Sequence, residues 1–347
     1  MKRRILTLCF VTCLSVATKA QDGNNKTPYL TKSLSGDAIS SVVVNTSGGG
    51  IMVTGGGGQS PRIEVYINGS NNREQLNKEE IQKRLDKSYD MNIAVNGHEL
   101  SATVKAKHDN IDWKRDGLNI SFKIYVPENV STNLHTSGGG IQLDNLRGKE
   151  NFTTSGGGLI VNALNGDIHG HTSGGGIQVS NSGDNIDLET SGGGIQAKNC
   201  KGTIKLVTSG GGIQFKHLDG TINAHTSGGG IEGKYISGEL VTNTSGGGIS
   251  LDNMDCSLDA SSSAGSVNVQ MNHVGKYLKL NTSSGNIALK LPAKQGLDLN
   301  LNAEKINDEI ASDFHGTWTK TNVNGSVNGG GAHVDVHANN NIDVTFN

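Results

Sequence analysis

The chain has 347 residues, with 50 glycines, four cysteines, 4% aromatic residues and 30 basic against 32 acidic side chains. Glycine at this level without a Gly-X-Y period excludes collagen, and its recurrence at fixed spacing excludes a disordered linker. The slight excess of acidic side chains argues against a nucleic-acid partner, which needs a concentrated basic face.

The first element is Met1-Lys2-Arg3-Arg4, an apolar run over residues 5–16 and then Ala17-Thr18-Lys19-Ala20. Basic, apolar and small-residue regions in that order predict a secretory signal peptide over 1–20, cut between Ala20 and Gln21. The run is too short to cross a bilayer. A lipoprotein signal would need a small residue before Cys9 or Cys13, which Leu8 and Thr12 fit poorly. Four of the 30 basic residues (Lys2, Arg3, Arg4, Lys19) lie in this segment, leaving 26 against 32 acidic ones, a net of −6 with His neutral. The protein is therefore expected to be exported, to the periplasm, the outer-membrane surface or the extracellular space, and no later segment reads as a transmembrane helix. Residues 21–36 hold little to bury and are expected to be flexible.

Residues 37–135 read as an irregular N-terminal part of a β-structure. Residues 41–45 lead into Thr46-Ser47-Gly48-Gly49-Gly50-Ile51, and residues 63–67 alternate apolar and polar as a half-buried strand does. Asn77 followed three residues later by Glu80 resembles a helix start, and Ile81, Leu85 and Tyr89 repeat at i, i+4, i+8. This predicts a helical insert over 78–87 that packs those three residues on the end or side of the β-structure. Strand patterns resume at 91–95, 99–106 and 118–126.

Over 136–281 the motif Thr-Ser-Gly-Gly-Gly-apolar recurs from Thr136, Thr154, Thr172, Thr190, Thr208, Thr226 and Thr244 at steps of 18 residues, with weaker copies at Ser262 and Thr282. A fixed period near 20 marks a repeat architecture. With each threonine as position 0, position 5 holds Ile141, Leu159, Ile177, Ile195, Ile213, Ile231 and Ile249, and positions 7, 10, 14 and 16 are mostly apolar. Spacings of two denote strands with one buried face. Two strands per repeat, over positions 4–8 and 13–18, with glycine at position 12 as a second turn, predict one coil per repeat. The expected fold is all-β, a single-chain parallel β-solenoid (a β-helix, expected right-handed) of 18-residue coils. The threonine continues the inward row and is expected to form a hydroxyl ladder. The glycines are expected to turn the chain through φ > 0 and to leave room for stacked turns. Glu150 stands at position 14, where other coils carry Ile or Leu, and is expected to reach solvent or distort its coil. Cys200 and Cys256 lie three coils apart, roughly 14 Å at strand spacing, beyond the Cα separation of about 7 Å that a disulfide allows. Both are expected to be free thiols. Residues 282–347 supply C-terminal coils and a cap, with 332–346 as the final strands.

A strand closed by proline, Phe122-Lys123-Ile124-Tyr125-Val126-Pro127, runs into Leu134-His135-Thr136-Ser137-Gly138-Gly139-Gly140-Ile141. Similar repeats follow, with a downstream glycine and a Gly-rich closing segment. This pattern resembles the bacterial putative-adhesin β-solenoid family, a domain family of unknown function from cell-envelope proteins, and is similar to the head domains of autotransporter-like adhesins. The resemblance covers roughly residues 38–347 and implies a solenoid with no established catalytic residues to carry over.

On that frame the chemistry-bearing residues fall in the outward columns. Outward position 6 reads Gln142, Ile160, Gln178, Gln196, Gln214, Glu232 and Ser250, a polar ladder without a paired acid. The second face offers Asp167, His169, His171, Asp187 and Glu189 on adjacent coils, residue types that bind metals when they converge. Read as solvated side chains, they give no metal site. A Gly-Lys-Ser/Thr phosphate loop, a Gly-x-Ser-x-Gly elbow, an Asp-bearing calcium repeat and outward threonine rows for ice binding are all missing from the sequence. No catalytic, cofactor-binding or metal-ligating set is assigned and no cofactor is expected. The expected function is a non-enzymatic, adhesin-like envelope or surface protein that presents rigid faces to a protein or glycan ligand. The alternative is a carbohydrate-binding or carbohydrate-active β-helix, for which Trp113 and Trp318 are the reserve of sugar-stacking rings.

Overall fold

The computed structural model describes residues 27–70, 76–108, 111–113, 115–308 and 313–346; the expected signal peptide 1–20 lies outside the described residues. The regular array is a parallel β-solenoid. One wall is built from position 5 onward, as in Ile141–Asp144, Leu159–Asn162 and Ile177–Ser180, and each strand pairs in parallel with the same residues one coil on. The second wall, as in Arg147–Thr154, Asn165–Thr172 and Gly183–Thr190, pairs in the same register of 18. From Ile195–Thr208 to Ile249–Ser262 the two strands of a coil run on as a single 14-residue strand bent between the walls. The alternating residues expected inward are buried in one continuous core.

Where the core varies in size, neighbouring coils compensate. A side chain begun at Gly233 would meet the Phe215 ring at 2.2 Å and Leu251 at 2.8 Å. At Gly170 it would meet the Phe152 ring at 2.3 Å and Leu188 at 2.7 Å. Each large ring thus fills the slot that the next coil leaves empty, which keeps the packing dense without overfilling it.

The solitary upstream motif is not apart from the array. Ser41–Thr46 and Ile51–Gly55 pair in parallel with Ser131–Thr136 and Ile141–Asp144, with Thr46 opposite Thr136 and Ile51 opposite Ile141. On their other side they pair with Glu99–Ala106 and Leu118–Val126. The first coil of the chain is therefore the second in space. Antiparallel strands finish this end: Tyr89–Asn96 on Glu99–Ala106, and Arg62–Gly69 on Leu118–Val126. Leu30–Ser33 pairs outside Arg62–Gly69 and Leu34 is buried, so this part of the segment expected to be flexible is tied down as an edge strand.

The helix spans Lys78–Ser88, with the Asn77 side chain accepting the Glu80 N–H at 2.9 Å as its cap. Ile81, Leu85 and Tyr89 are buried in the core as their spacing predicts, and the Tyr89 hydroxyl accepts the Leu118 N–H at 2.9 Å.

The C-terminal end repeats the inversion. Ala332–Ala338 and Asn341–Phe346 do not form the outermost layer. They lie between the coil of Val267–Thr282 and Ile287–Leu291 on one side and that of Leu297–Asn302 and Lys305–Asp308 on the other. The antiparallel strands Asn322–Val327 and Phe314–Trp318 then cover Leu297–Asn302. The cap is this hairpin and not the last strands of the sequence.

Candidate functional site

The corner made by Thr-Ser-Gly-Gly-Gly sets the shape of the outer surface. Each threonine is buried, but the hydroxyls do not bond to one another. Thr154 Oγ1 donates to Gly139 O of the preceding coil at 2.7 Å and accepts the N–H of its own Gly157 at 3.2 Å. The same pair of bonds recurs at Thr172, Thr190, Thr208, Thr226 and Thr244. Ser262 and Thr282 keep both bonds, donating to Gly247 O and Gly265 O at 2.8 Å and accepting the N–H of Gly265 at 2.8 Å and of Gly285 at 3.2 Å. The expected hydroxyl ladder is thus a set of inter-coil ties from side chain to backbone.

The glycines also work differently from the expectation. None of the triplet glycines in the array has a positive φ. The middle one is required by close stacking: a Cβ on Gly193 would sit 2.2 Å from Gly175 O, and one on Gly157 2.0 Å from Gly139 O. The flanking positions are looser, with first contacts of 3.3 Å at Gly192 and 3.0 Å at Gly194. The weaker copies agree, since Ser-Ser-Ala-Gly-Ser from Ser262 and Thr-Ser-Ser-Gly-Asn from Thr282 retain only the middle glycine, Gly265 and Gly285.

The positive-φ turn lies elsewhere. Position 9 carries non-glycine residues in the left-handed region, Asn145, Ala163, Asn181, Asn199, His217, Tyr235 and Asn253, at φ of 53–57°. Asn is suited to that region and a bulky ring is not. Glycine at position 12 also has positive φ, at Gly166, Gly202, Gly220 and Gly238, as expected of a second turn.

Because the triplets lack side chains, a trough of about 1370 Å³ runs along this corner from Gly48 to Gly230. One wall is the position 6 ladder, including Gln178, Gln196, Gln214 and Glu232. Among the described residues, the N–H groups of Gly140, Gly158, Gly176, Gly194, Gly212 and Gly230 take no hydrogen-bond partner. At the ends of the same column serine hydroxyls fill that role, Ser121 Oγ for the Gly50 N–H at 3.1 Å and Ser266 Oγ for the Asn286 N–H at 3.3 Å.

On the far side of the glutamines lies a second depression, of about 430 Å³, bordered by Lys198, Lys216 and Lys234. These lysines occupy position 8 of three successive coils in register. Beside them Tyr235 is 47% exposed and stacks on His217, with ring centroids 4.9 Å apart and planes 24° apart. Sequence reasoning passed over this face. Wrapping positions 8 and 9 as the inward positions were wrapped would have displayed the lysine row and the ring pair.

The His/carboxylate patch is brought together only in part. His169 lies opposite Asp187, and His171 opposite Glu189. Asp187 is engaged by Lys205 Nζ at 3.1 Å, and Asp167 accepts from Asn185 Nδ2 at 3.1 Å. Among the described residues no three His, Cys, Asp or Glu side chains converge as a metal site. The two tryptophans are at opposite ends: Trp113 is 51% exposed, whereas Trp318 packs edge-on against Phe314 and is half-buried.

Glu150 departs from both expectations. It neither reaches solvent nor breaks its coil, but stays in register between Thr132 and Ile168 with no exposed surface. Thr132 Oγ1 donates to its Oε2 at 2.6 Å, and Oε1 has no hydrogen-bond partner. Burial outweighs the Thr132 hydrogen bonds and pushes the carboxyl up to about 7. Cys200 and Cys256 are free, as expected, and both are buried; burial raises both thiols, Cys256 to about 12.

Stacked identical coils with inter-coil ties define a repeat protein of the β-solenoid class. Residues 39–345 match the Toastrack DUF4097 family, and the chain belongs to that family. Among solved structures it is similar to a putative cell adhesion protein from Clostridium sporogenes ATCC 15579, at 11% identity over 92% of this chain and 98% of that one, with a TM-score of 0.20. It is similar also to a putative adhesin from Bacteroides fragilis NCTC 9343, at 14% identity over 75% of this chain and 96% of that one, with a TM-score of 0.26. No curated protein matches the chain.

Proposed function

We propose that this solenoid is a non-enzymatic, adhesin-like protein of the cell envelope or surface, exported from the cytoplasm, that presents rigid ladder faces to a surface ligand. The observation that supports this reading is the trough of about 1370 Å³ together with its glutamine wall, which extends over successive coils. Its floor is fixed by the threonine ties and by backbone stacking too close for side chains. A preformed surface of this kind binds an extended partner without the cost of ordering itself. Among the described residues no helix is long and apolar enough to cross a membrane.

The test is retention of the labelled, purified chain on intact bacterial cells and on a glycan array, with the reaction medium followed for product. Saturable retention without turnover is the expected outcome. Turnover that disappears on His169→Ala with Glu189→Gln would replace this reading with a carbohydrate-active one. The alternative of carbohydrate binding without catalysis draws support from exposed Tyr235 within the array.

A further inference from the structure

We propose that the face formed by Gln178, Gln196, Gln214, Lys198, Lys216 and Lys234 binds an extended acidic polysaccharide, with Tyr235 stacked on His217 as the platform for a sugar ring; this rests on the adhesive reading above. The first ground is charge. The segment beyond the expected signal carries 26 basic against 32 acidic residues, yet here three exposed lysines stand in register on adjacent coils. Like charges directly opposite on neighbouring strands repel. Only Lys234 has a carboxylate, Asp252 at 3.5 Å, while Lys198 and Lys216 make no ion pair among the described residues. Earlier coils carry Asp144, Asn162 and Ser180 at the same position, so the row is local to these three coils. An external anion would offset a repulsion that the fold leaves standing.

The second ground is Tyr235. It is exposed, and it holds a φ of 57° in a column where Asn fills four of the seven places. A tyrosine there gains no core burial and adopts a backbone conformation that disfavours bulky residues. The His217 ring beneath it and the Lys216 ammonium 5.6 Å from its centroid fix it as a flat apolar surface beside positive charge. A pyranose ring presents C–H groups to such a face, its carboxylates reach the lysines, and its hydroxyls suit glutamine amides, which both donate and accept. Glu232, which accepts from Gln214 Nε2 at 3.3 Å, and Asp252 close the face with negative charge at one end.

Period separates the candidate polymers. The lysines recur once per coil, about 4.8 Å apart. An extended acidic peptide presents same-side carboxylates about 6.7 Å apart and drifts out of step, whereas a polyuronate whose successive rings turn over sets its same-side carboxylates close to two coils apart, so that they meet alternate lysines of the row. A single-stranded nucleic acid is held by stacking platforms for successive bases, and this face offers one ring pair.

The test is affinity electrophoresis of the purified chain in gels containing polygalacturonate or alginate, with dextran, poly-L-glutamate and an oligothymidylate as separate arms. Retardation by a polyuronate that weakens with salt, and not by dextran, is expected. Lys198→Gln with Lys216→Gln should weaken it roughly tenfold, as two lost charge contacts would. Tyr235→Asn, which installs the residue that four other coils use, should weaken it several-fold. No retardation by either polyuronate, retention unchanged in the lysine variant, or stronger retention by poly-L-glutamate or the oligothymidylate would each overturn the proposal. The same variant in the cell-retention assay separates the two readings: retention equal to wild type leaves adhesion standing and rejects this face, whereas polyuronate binding without any cell retention keeps the face and rejects adhesion.

Discussion

Glu150 is the residue that departs most from its column. Its carboxyl lies in the core and is raised from 4.5 to about 7 in the folded chain. For a group raised in this way, stability is fully present below the unfolded value, falls as pH rises from 4.5 towards 7, and is constant above that. The difference corresponds to about 3 kcal/mol. Glu150→Gln should flatten the pH dependence of urea unfolding across that window and raise stability at pH 8, while leaving it nearly unchanged at pH 4. Glycine position is equally testable. Gly193→Ala sets a methyl against Gly175 O and should cost about 3 kcal/mol. Gly192→Ala, which copies Ala264, should remain within about 1 kcal/mol; paired thermal melts compare the two. Thr190→Val leaves Gly175 O and the Gly193 N–H without their partner and should cost about 2 kcal/mol in the same measurement.

At the scale of the coil, packing couples neighbours and single substitutions mislead. Gly233 has no space for a side chain because Phe215 from the preceding coil occupies it. Gly233→Ala should therefore destabilise the wild-type background by about 2 kcal/mol, and most of that loss should vanish when Phe215→Leu is also present. A double-mutant cycle on denaturant midpoints reads the coupling, and additive effects would show that the two coils relax independently. The inward positions of these coils were legible in the sequence because burial imposes a period of two within a strand and the stack imposes 18. The left-handed column at position 9 was not legible. Asn, Ala, His and Tyr share it, and what unites them is a backbone angle that carries little signature once a ring replaces Asn. The lysine row and Tyr235 lie at outward positions, where no core constrains residue type and no pattern draws attention.

At the scale of the whole molecule, the Thr46 coil and the last described strands both lie inside the stack. Residues 332–346 provide a coil that touches other coils on both sides. Deleting them should expose the edges of Ile287–Leu291 and Leu297–Asn302 and destabilise far more than loss of an outermost strand would. Hydrogen exchange should show the opening spreading back towards Val267–Thr282, and a truncated chain with unchanged protection there would refute this. The buried thiols give a second global readout. With Cys200 and Cys256 both covered and both raised, an aqueous thiol reagent at pH 8 should label neither until the array opens.

Reading along the chain is enough for the coil: its length, most of its inward residues, the helix at Asn77, the two free cysteines and the place of the corner motif. These follow from local period and from chemistry repeated in register. The order of the coils, with the Thr46 coil seated against Thr136 and the last strands inside the C-terminal end, emerges only in the folded chain. The strand-pairing hydrogen bonds between coils join backbone to backbone, and the threonine ties are the same in every coil, so neither marks which coil lies next to which. The tertiary structure also decided which outward side chains meet as one face and that a carboxyl could be held in the core, because both depend on what lies one coil away and not on what lies next in the chain.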